Sequence, residues 1–142
     1  MITIITDGNI KQKELASLSD IYLKRISTFP ATRIKFLTIT KDFEEKIRSL
    51  NKKSGHRLFL LAEQGKEVDS KEFMEFLRPN FESGESFTLV IGPPEGFSDE
   101  LKKECDAISL SRMTFPHEVA QVILLEQIYR ACCLFTGKDY HK

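Results

Sequence analysis

Short continuous runs of apolar residues alternate along this chain with longer segments in which apolar residues recur every three or four positions. Continuous apolar runs are typical of parallel strands that are buried on both faces of a sheet. The alternation therefore predicts a three-layer α/β domain with a mostly parallel sheet. The predicted strands are Ile2–Ile5, Ile34–Ile39, Leu58–Leu61, Phe87–Ile91 and Ala107–Leu110.

The segments between these runs predict four helices, and in the first of them the apolar residues form one stripe. The first three should end where proline or glycine follows, because neither residue continues a helix well. Ser98 or Asp99 is a suitable N-cap for the fourth. The predicted helices contain Leu15 to Ile26 before Phe29-Pro30, Phe43 to Leu50 before Ser54-Gly55, Phe73 to Leu77 before Pro79, and a short segment that ends near Glu104.

A fifth predicted helix runs from near His117 to about Phe135, and its apolar residues surround most of the axis. A helix that is apolar on nearly every side is buried on several sides. In a chain of 142 residues, we expect one of those sides to contact a second subunit. The length also predicts a single domain that spans residues 1–142.

The composition is ordinary for a soluble globular protein, with 41% hydrophobic and 30% charged residues. No apolar run reaches the roughly 20 residues that a membrane-spanning helix needs. The cysteines are Cys105, Cys132 and Cys133, an odd number without the spacing of a disulfide framework or a zinc site. We therefore expect a reduced, cytoplasmic protein that binds neither a membrane nor a metal.

The net charge is zero, but the charges are unevenly distributed. Residues 1–57 carry twelve Lys or Arg and six Asp or Glu, whereas residues 58–142 carry nine and fifteen. Such asymmetry can mark a basic surface for nucleic acid, and scattered solvated charge is the alternative. Basic residues that such a surface would present to phosphates include Lys24, Arg25, Arg33 and Lys35.

Three loops with glycine or proline follow predicted strands. They are Ala62–Lys66, Gly92–Gly96 and Ser111–Pro116. Ligands of parallel sheets bind beyond the carboxyl ends of the strands, and glycine lets the backbone approach a ligand closely. None of the loops has the phosphate-binding pattern of a dinucleotide or nucleoside-triphosphate site, and no nucleophile elbow is present. Together the loops predict a pocket for another kind of ligand.

Polar residues at the ends of the last helix are candidates for chemistry, and each has a structural alternative. His117 follows Pro116 and either opens the helix or binds a ligand. Arg130 either pairs with Glu126, four residues earlier, or serves a site. Tyr140 and His141 lie in a tail that is either frayed or folded back over the helix. The histidine suits proton handling because it titrates near neutral pH.

Several short motifs occur in order over essentially the whole chain. They are Ile91-Gly92 with Pro94-Glu95-Gly96, Ser109-Leu110-Ser111, Thr114-Phe115-Pro116-His117, Glu126 with Tyr129-Arg130-Ala131, and Tyr140-His141, with weaker matches at Leu61, Gly65 and Lys24-Arg25. In this order the motifs resemble those of the RlmH family, which are SPOUT-type RNA methyltransferases.

The resemblance implies a homodimer whose α/β sheet ends in a C-terminal trefoil knot. It implies that S-adenosylmethionine binds in the knot and that the substrate is a pseudouridine of 23S ribosomal RNA, methylated at ring nitrogen 3 on assembled ribosomes. The cofactor residues carried over are Leu61, Gly65, Gly92, Ser111, Arg112, Met113, Thr114, Phe115 and Pro116.

The same resemblance assigns roles to residues at the end of the chain. Arg130 would stabilise the negative charge of the deprotonated imide, and Tyr140 or His141 would orient the base or relay its proton. His117, Lys24 and Arg25 would contact the substrate. Three other functions stay open at this point. They are a SPOUT methyltransferase with a different RNA target, a non-catalytic α/β module that binds RNA or ribosomes, and a metabolite-binding protein unrelated to RNA.

The chain departs from the family pattern at two positions. Pro93 stands where the family usually has a second glycine, and Ala62 stands where it usually has aspartate. Proline has no backbone N–H, so a hydrogen bond to the cofactor is lost if the family uses that group. We expect a reshaped pocket that still binds S-adenosylmethionine.

Pro93→Gly should bind S-adenosylmethionine more tightly than the natural chain, roughly several-fold, because glycine restores one backbone donor. Calorimetric titration of both proteins measures the difference. Equal dissociation constants would show that the backbone at position 93 does not contact the cofactor.

Overall fold

In the computed structural model, which describes residues 1–53 and 57–140, five strands form one sheet in which every pair is parallel. The strand order is β2-β1-β4-β3-β5. The α/β class and the parallel sheet predicted above are confirmed. The sheet was predicted to be mostly parallel, and all four strand pairs are parallel. The strands are β1 (Ile2–Thr6), β2 (Ile34–Thr38), β3 (Arg57–Glu67), β4 (Phe87–Ile91) and β5 (Asp106–Ser109).

Helices lie on both faces of the sheet and produce the three layers. Consecutive residues of β4 point to opposite faces, as in any strand. Leu89 packs with the helices α1, α3 and α5, whereas Val90 packs with α2 and α4. Both residues are fully buried. The helices are α1 (Lys13–Ile26), α2 (Phe43–Asn51), α3 (Ser70–Ser83), α4 (Asp99–Glu104) and α5 (His117–Phe135).

The fifth helix has the bounds that the apolar pattern predicts and is buried between α1 and α3. Leu124, Leu125, Ile128 and Cys133 are each completely buried. Ser98 caps α4 by accepting a hydrogen bond from the backbone N–H of Leu101 at 3.1 Å, as predicted. The predicted end of α2 at Ser54-Gly55 falls outside the described residues, and the helix itself ends at Asn51.

The predicted end of α3 before Pro79 is wrong, because the helix continues to Ser83. Proline removes one hydrogen bond, to the carbonyl of Glu75, but tertiary contacts hold the last turn in place. The ring of Phe81 packs 4.7 Å from that of Phe135 on α5. Asn80, only 2% exposed, donates its side-chain amide to the carbonyl of Glu85 at 2.6 Å. Gly84, with φ of 71°, then terminates the helix.

Strand β3 is longer than predicted and contains an irregularity. Leu61 and Lys66 both lie opposite Ile108 of β5, so the residues between them loop out of the ladder. Gly65 closes this loop against β5. A Cβ atom there would lie 2.7 Å from the backbone carbon of Ala107, closer than real contacts allow. The loop that was predicted to follow β3 is thus an excursion within the strand, and Gly65 permits the return.

Strand order and pairing do not by themselves establish a trefoil knot, so the knot stays a prediction. None of the helices in residues 1–53 and 57–140 combines the length and the apolar character of a membrane span.

Gly65→Ala should lower the free energy of unfolding by about 1–3 kcal/mol, because the added methyl group meets backbone atoms that cannot rotate away. Urea denaturation measures the change. Gly84→Ala is the matched control: it adds the same methyl group in open space and bears only the cost of positive φ, about 1 kcal/mol. A Gly65→Ala loss no larger than the control's would contradict the close packing of β3 on β5.

Candidate functional site

The three strand-end loops meet at one cleft of about 670 Å³. Parallel strands end at a common edge, so the segments that follow β4 and β5 and the excursion in β3 are neighbours. The start of α5 forms the fourth wall. The cleft is lined by Leu61, Ala62, Glu63, Gln64, Ile91, Gly92, Pro93, Pro94, Glu95, Gly96, Phe97, Lys102, Leu110, Ser111, Met113, Thr114, Phe115, Pro116, His117 and Ala120.

Most of the predicted cofactor residues line this cleft. Leu61, Gly92, Ser111, Met113, Thr114, Phe115 and Pro116 are among its walls, as is His117, which the sequence assigned to the substrate. Two predicted residues are not. Gly65 packs on the backbone of β5, and Arg112 extends into solvent near the carboxylate of Glu67, at 3.7 Å.

Hydrogen bonds shape the loop after β5 and tie it to the excursion in β3. Ser109 donates its hydroxyl to the carbonyl of Ser111 at 2.8 Å, and the Ser111 hydroxyl accepts from the backbone N–H of Met113 at 3.0 Å. Thr114 donates its hydroxyl to the carboxylate of Glu63 at 3.0 Å. The sequence did not single out Glu63. Its one signal in the sequence is its place directly after Ala62, which stands where the family usually has aspartate.

The loop after β4 contains a tight turn, against which the ring of Phe97 packs. The turn is closed by a hydrogen bond from the backbone N–H of Gly96 to the carbonyl of Pro93 at 2.8 Å. A Cβ atom at Gly92 would lie 3.0 Å from the Phe97 ring, so glycine lets the ring pack under the cleft. Pro93 lines the cleft without a backbone donor. The cleft therefore presents apolar walls together with the carboxylates of Glu63 and Glu95.

A second set of predicted residues meets at the other end of α5. The Tyr140 hydroxyl donates to one oxygen of the Glu126 carboxylate at 2.6 Å, and the Arg130 guanidinium donates to the same oxygen at 2.9 Å. The Arg130 guanidinium carbon also lies 4.6 Å from the centre of the Tyr140 ring. We call these three residues the tail cluster. The predicted Glu126–Arg130 ion pair is present. The tail folds back over α5 as far as residue Tyr140, the last one described.

The polar side chains of the tail cluster are surrounded largely by apolar groups. Burial, the Glu126 carboxylate and Tyr22 together raise the pKa of Tyr140 well above its ordinary value. The Tyr140 ring packs edge-on against Tyr129 with centroids 5.1 Å apart. The Nε atom of Arg130 is buried and has no hydrogen-bond partner among the described residues. Buried donors are rarely left without a partner. This donor therefore marks a place where a further group can bind.

Of the other predicted residues, Arg25 lies near the tail cluster. Its guanidinium carbon is 5.5 Å from the centre of the Tyr22 ring and 5.7 Å from that of Tyr129. Lys24 is exposed on the same helix. His141 lies outside the described residues. Among the described residues, no group of three or more His, Cys, Asp or Glu side chains is arranged to hold a metal.

His117 lies at the cleft, beside a carboxylate that anchors another loop. Its Nε2 atom is 3.9 Å from the carboxylate of Glu118. Glu118 accepts hydrogen bonds from the backbone N–H groups of Lys11 at 2.7 Å and Gln12 at 3.0 Å. The bond from Gln12 is the main reason that the pKa of Glu118 is lowered. The first turn of α5 therefore holds the segment before α1 in place.

One chain does not bring the cleft and the tail cluster together. None of the three tail-cluster residues lines the cleft of the same chain. Along α5, the cleft residue Ala120 and Arg130 are ten residues apart, which is about 15 Å at 1.5 Å per residue. The two sites are therefore separate places in one chain.

Comparison with known proteins gives a consistent result along the whole chain. The family model described as "Predicted SPOUT methyltransferase" matches residues 1–141. A protein of Caldicellulosiruptor bescii named "Ribosomal RNA large subunit methyltransferase H" is 34% identical, with 100% of each chain covered. Proteins with the same name from Koribacter versatilis and a Synechococcus species are 34% and 36% identical over 99% of this chain and 97% and 94% of their own.

Raising the pH should destabilise the natural protein more than it destabilises the Tyr140→Phe variant. The pKa of Tyr140 is higher in the folded state than in the unfolded state, where it is near 10. The contribution of Tyr140 to the free energy of unfolding is therefore complete below the unfolded-state pKa and is lost as the pH rises through the folded-state pKa. Urea denaturation at about pH 9 and about pH 11 measures the two slopes. Tyr129, whose pKa is also raised, contributes equally to both proteins. Identical slopes would mean that Tyr140 is not held as described.

Proposed function

The chain belongs to the SPOUT methyltransferase family, and from that premise we propose that it methylates nitrogen 3 of a pseudouridine in 23S ribosomal RNA with S-adenosylmethionine as methyl donor. The observation that carries the proposal is the convergence of three strand-end loops on one cleft, in a chain whose full-length relatives are named for this class of reaction. The trefoil knot belongs to the same proposal.

The cleft has the size and the walls that S-adenosylmethionine requires. Its volume of about 670 Å³ falls within the range typical of cofactor sites. Leu61, Leu110 and Phe115 offer apolar contact for the adenine ring, and the backbone of residues 111–116 offers hydrogen bonds to its edge. Glu63 and Glu95 offer carboxylates to the ribose hydroxyls or to positive charge. The bound cofactor supplies a methyl group already activated by its sulfonium.

The tail cluster supplies what the acceptor base needs. The imide nitrogen carries a proton at neutral pH, and once it is removed the ring oxygens carry negative charge. Arg130 offers a permanent positive charge to stabilise it, with a buried Nε donor that is still free among the described residues. The one O–H of Tyr140 donates to Glu126, and its hydroxyl oxygen can still accept a hydrogen bond from a donor on the base and so orient it. His141 is the candidate to accept the proton.

A homodimer resolves the distance between the two sites. Leu18 and Ile21 on α1 are 39% and 44% exposed, and Leu134 on α5 is 53% exposed. Exposed apolar side chains on neighbouring helices are suited to an interface between copies of the chain. We infer that two chains pack through α1 and α5, so that the tail cluster of one subunit reaches the cleft of the other.

RNA recognition follows from the same arrangement. Arg25 lies beside the tail cluster and Lys24 one residue earlier, where both can contact phosphates near the target base. Because the net charge of the chain is zero, long-range attraction to RNA is weak. The assembled ribosome in the cytoplasm is the substrate that we propose, since it presents the base in a defined shape.

The test uses labelled S-adenosylmethionine, ribosomes that lack the modification, and two variants. Arg130→Ala should bind the cofactor but transfer no methyl group. Gly92→Val should lose cofactor binding, because its side chain meets Phe97 at the cleft floor. Each variant alone should be inactive. An equimolar mixture of the two variants should recover about a quarter of the natural activity. Random pairing makes half of the dimers mixed, and each mixed dimer has one complete site out of two.

Calorimetry with S-adenosylmethionine is the control for the Arg130→Ala variant, and circular dichroism is the control for folding of both. Inactive mixtures with an active natural enzyme would place both sites within one subunit and overturn the dimer proposal. If the natural chain neither bound cofactor nor methylated ribosomes, the enzyme proposal itself would fail, and a non-catalytic ribosome-binding module would replace it.

A further inference from the structure

A second cavity, of about 210 Å³, lies beside the cofactor cleft on the same edge of the sheet. Thr6 of β1 lines this side pocket, and its in-register neighbour Ile91 of β4 lines the cleft. Adjacent strands are about 5 Å apart, so the two cavities are close. On α5, Ala120 borders the cleft and Gln121 borders the side pocket. The first turns of α5 therefore separate them.

The side pocket contains hydrogen-bonding groups that nothing in the described part of the chain uses. The hydroxyl of Thr6 already donates to the carbonyl of Gly8 at 2.9 Å, and that of Thr38 to the side-chain oxygen of Asn9 at 3.1 Å. In contrast, Ser19, Asp20 and Gln121 make no side-chain hydrogen bond or ion pair within residues 1–53 and 57–140.

Ser19 is the most informative of these three residues. It is only 4% exposed, yet its hydroxyl has no described partner and borders the pocket. The hydroxyl oxygen is not fully enclosed by protein, so a polar ligand in the pocket can reach it. Phe36 provides an aromatic wall beside it.

The size and chemistry of the side pocket select the ligand. Its volume is below that of sites for whole cofactors, so it suits one flat ring rather than a nucleotide. A carboxylate accepts hydrogen bonds and favours a base with an exocyclic amino group, and an aromatic ring stacks on bases of single-stranded RNA. We propose that the side pocket binds one unpaired cytosine, adenine or guanine that flanks the methylated nucleotide. This specificity site rests on the proposed function.

The exposed apolar side chains of the dimer proposed above, Leu18, Ile21 and Leu134, do not line the side pocket. Asp20 lies about 200° around α1 from Leu18 and about 100° from Ile21. It therefore lies beside the exposed apolar face and not within it. The rim is also held in place, because Glu118 binds the backbone of Lys11 and Gln12. Lys11 and Lys13 are exposed near this rim and can contact the phosphates of the bound strand.

A nuclear magnetic resonance titration with cytidine and uridine monophosphate tests the proposal without any methyl transfer. The two ligands match in size and differ chiefly in having an amino group or an oxygen at ring position 4. Cytidine monophosphate should shift the signals of Gly8 and of the Gln121 side-chain amide, with an affinity roughly tenfold above that of uridine monophosphate. Asp20→Asn should abolish the difference. Glu14→Gln, which removes a charge from α1 outside the pocket, should preserve it.

Methylation assays add a second readout on the ribosomal substrate. Asp20→Asn should raise KM for ribosomes roughly tenfold and leave the cofactor dissociation constant unchanged. Equal binding of the two nucleotides, shifts confined to the cleft, or an unaffected Asp20→Asn protein would overturn the assignment. Failure of the proposed function is separate: it would appear as absent cofactor binding and methyl transfer, whatever the nucleotide titration shows.

Discussion

The burial of α5 between α1 and α3 determines where this protein can do chemistry. The helix covers one face of a sheet whose strands all end at the same edge, so its first turn must lie at that edge beside the cleft. Its far end then carries Arg130 and receives the returning tail. One buried helix thus separates the cleft from the Arg130 end of the tail cluster by about three turns. The homodimer that we propose follows from that separation, and not from any feature of either site alone.

Within the tail cluster, one carboxylate controls two functional groups. Glu126 sits on a helix that is otherwise largely apolar, where an unpaired charge would be costly. The negative charge of Glu126 is compensated by two hydrogen bonds to one of its oxygen atoms, from the Arg130 guanidinium and from the Tyr140 hydroxyl. The carboxylate holds the tail in place through its hydrogen bond with Tyr140, while the Arg130 Nε atom stays available for a further contact. Structural pairing and a site role, which were alternatives at the level of sequence, are therefore compatible for Arg130.

Local sequence rules failed at two places, for the same physical reason. Pro79 should have ended α3, but the packing of Phe81 on the distant Phe135 outweighs one missing hydrogen bond. The apolar run of β3 should have ended near Leu61, but the strand leaves the ladder and rejoins it at Lys66. In both cases the deciding contacts come from residues far away in the chain. No window of neighbouring residues contains them.

The fold class, the five strands, the bounds of α5 and the three segments that form the cleft could be predicted from the sequence, because burial and turn formation depend on residues close in the chain. Ordered motifs also identified the family. In contrast, the three-dimensional arrangement was needed to show that Gly65 serves packing, that Arg112 points away from the cleft, and that Glu63 accepts a hydrogen bond from Thr114. The side pocket belongs to this second group, since β1, β2, α1 and α5 each contribute part of it. Such properties depend on distances between elements, and a linear pattern does not encode these distances.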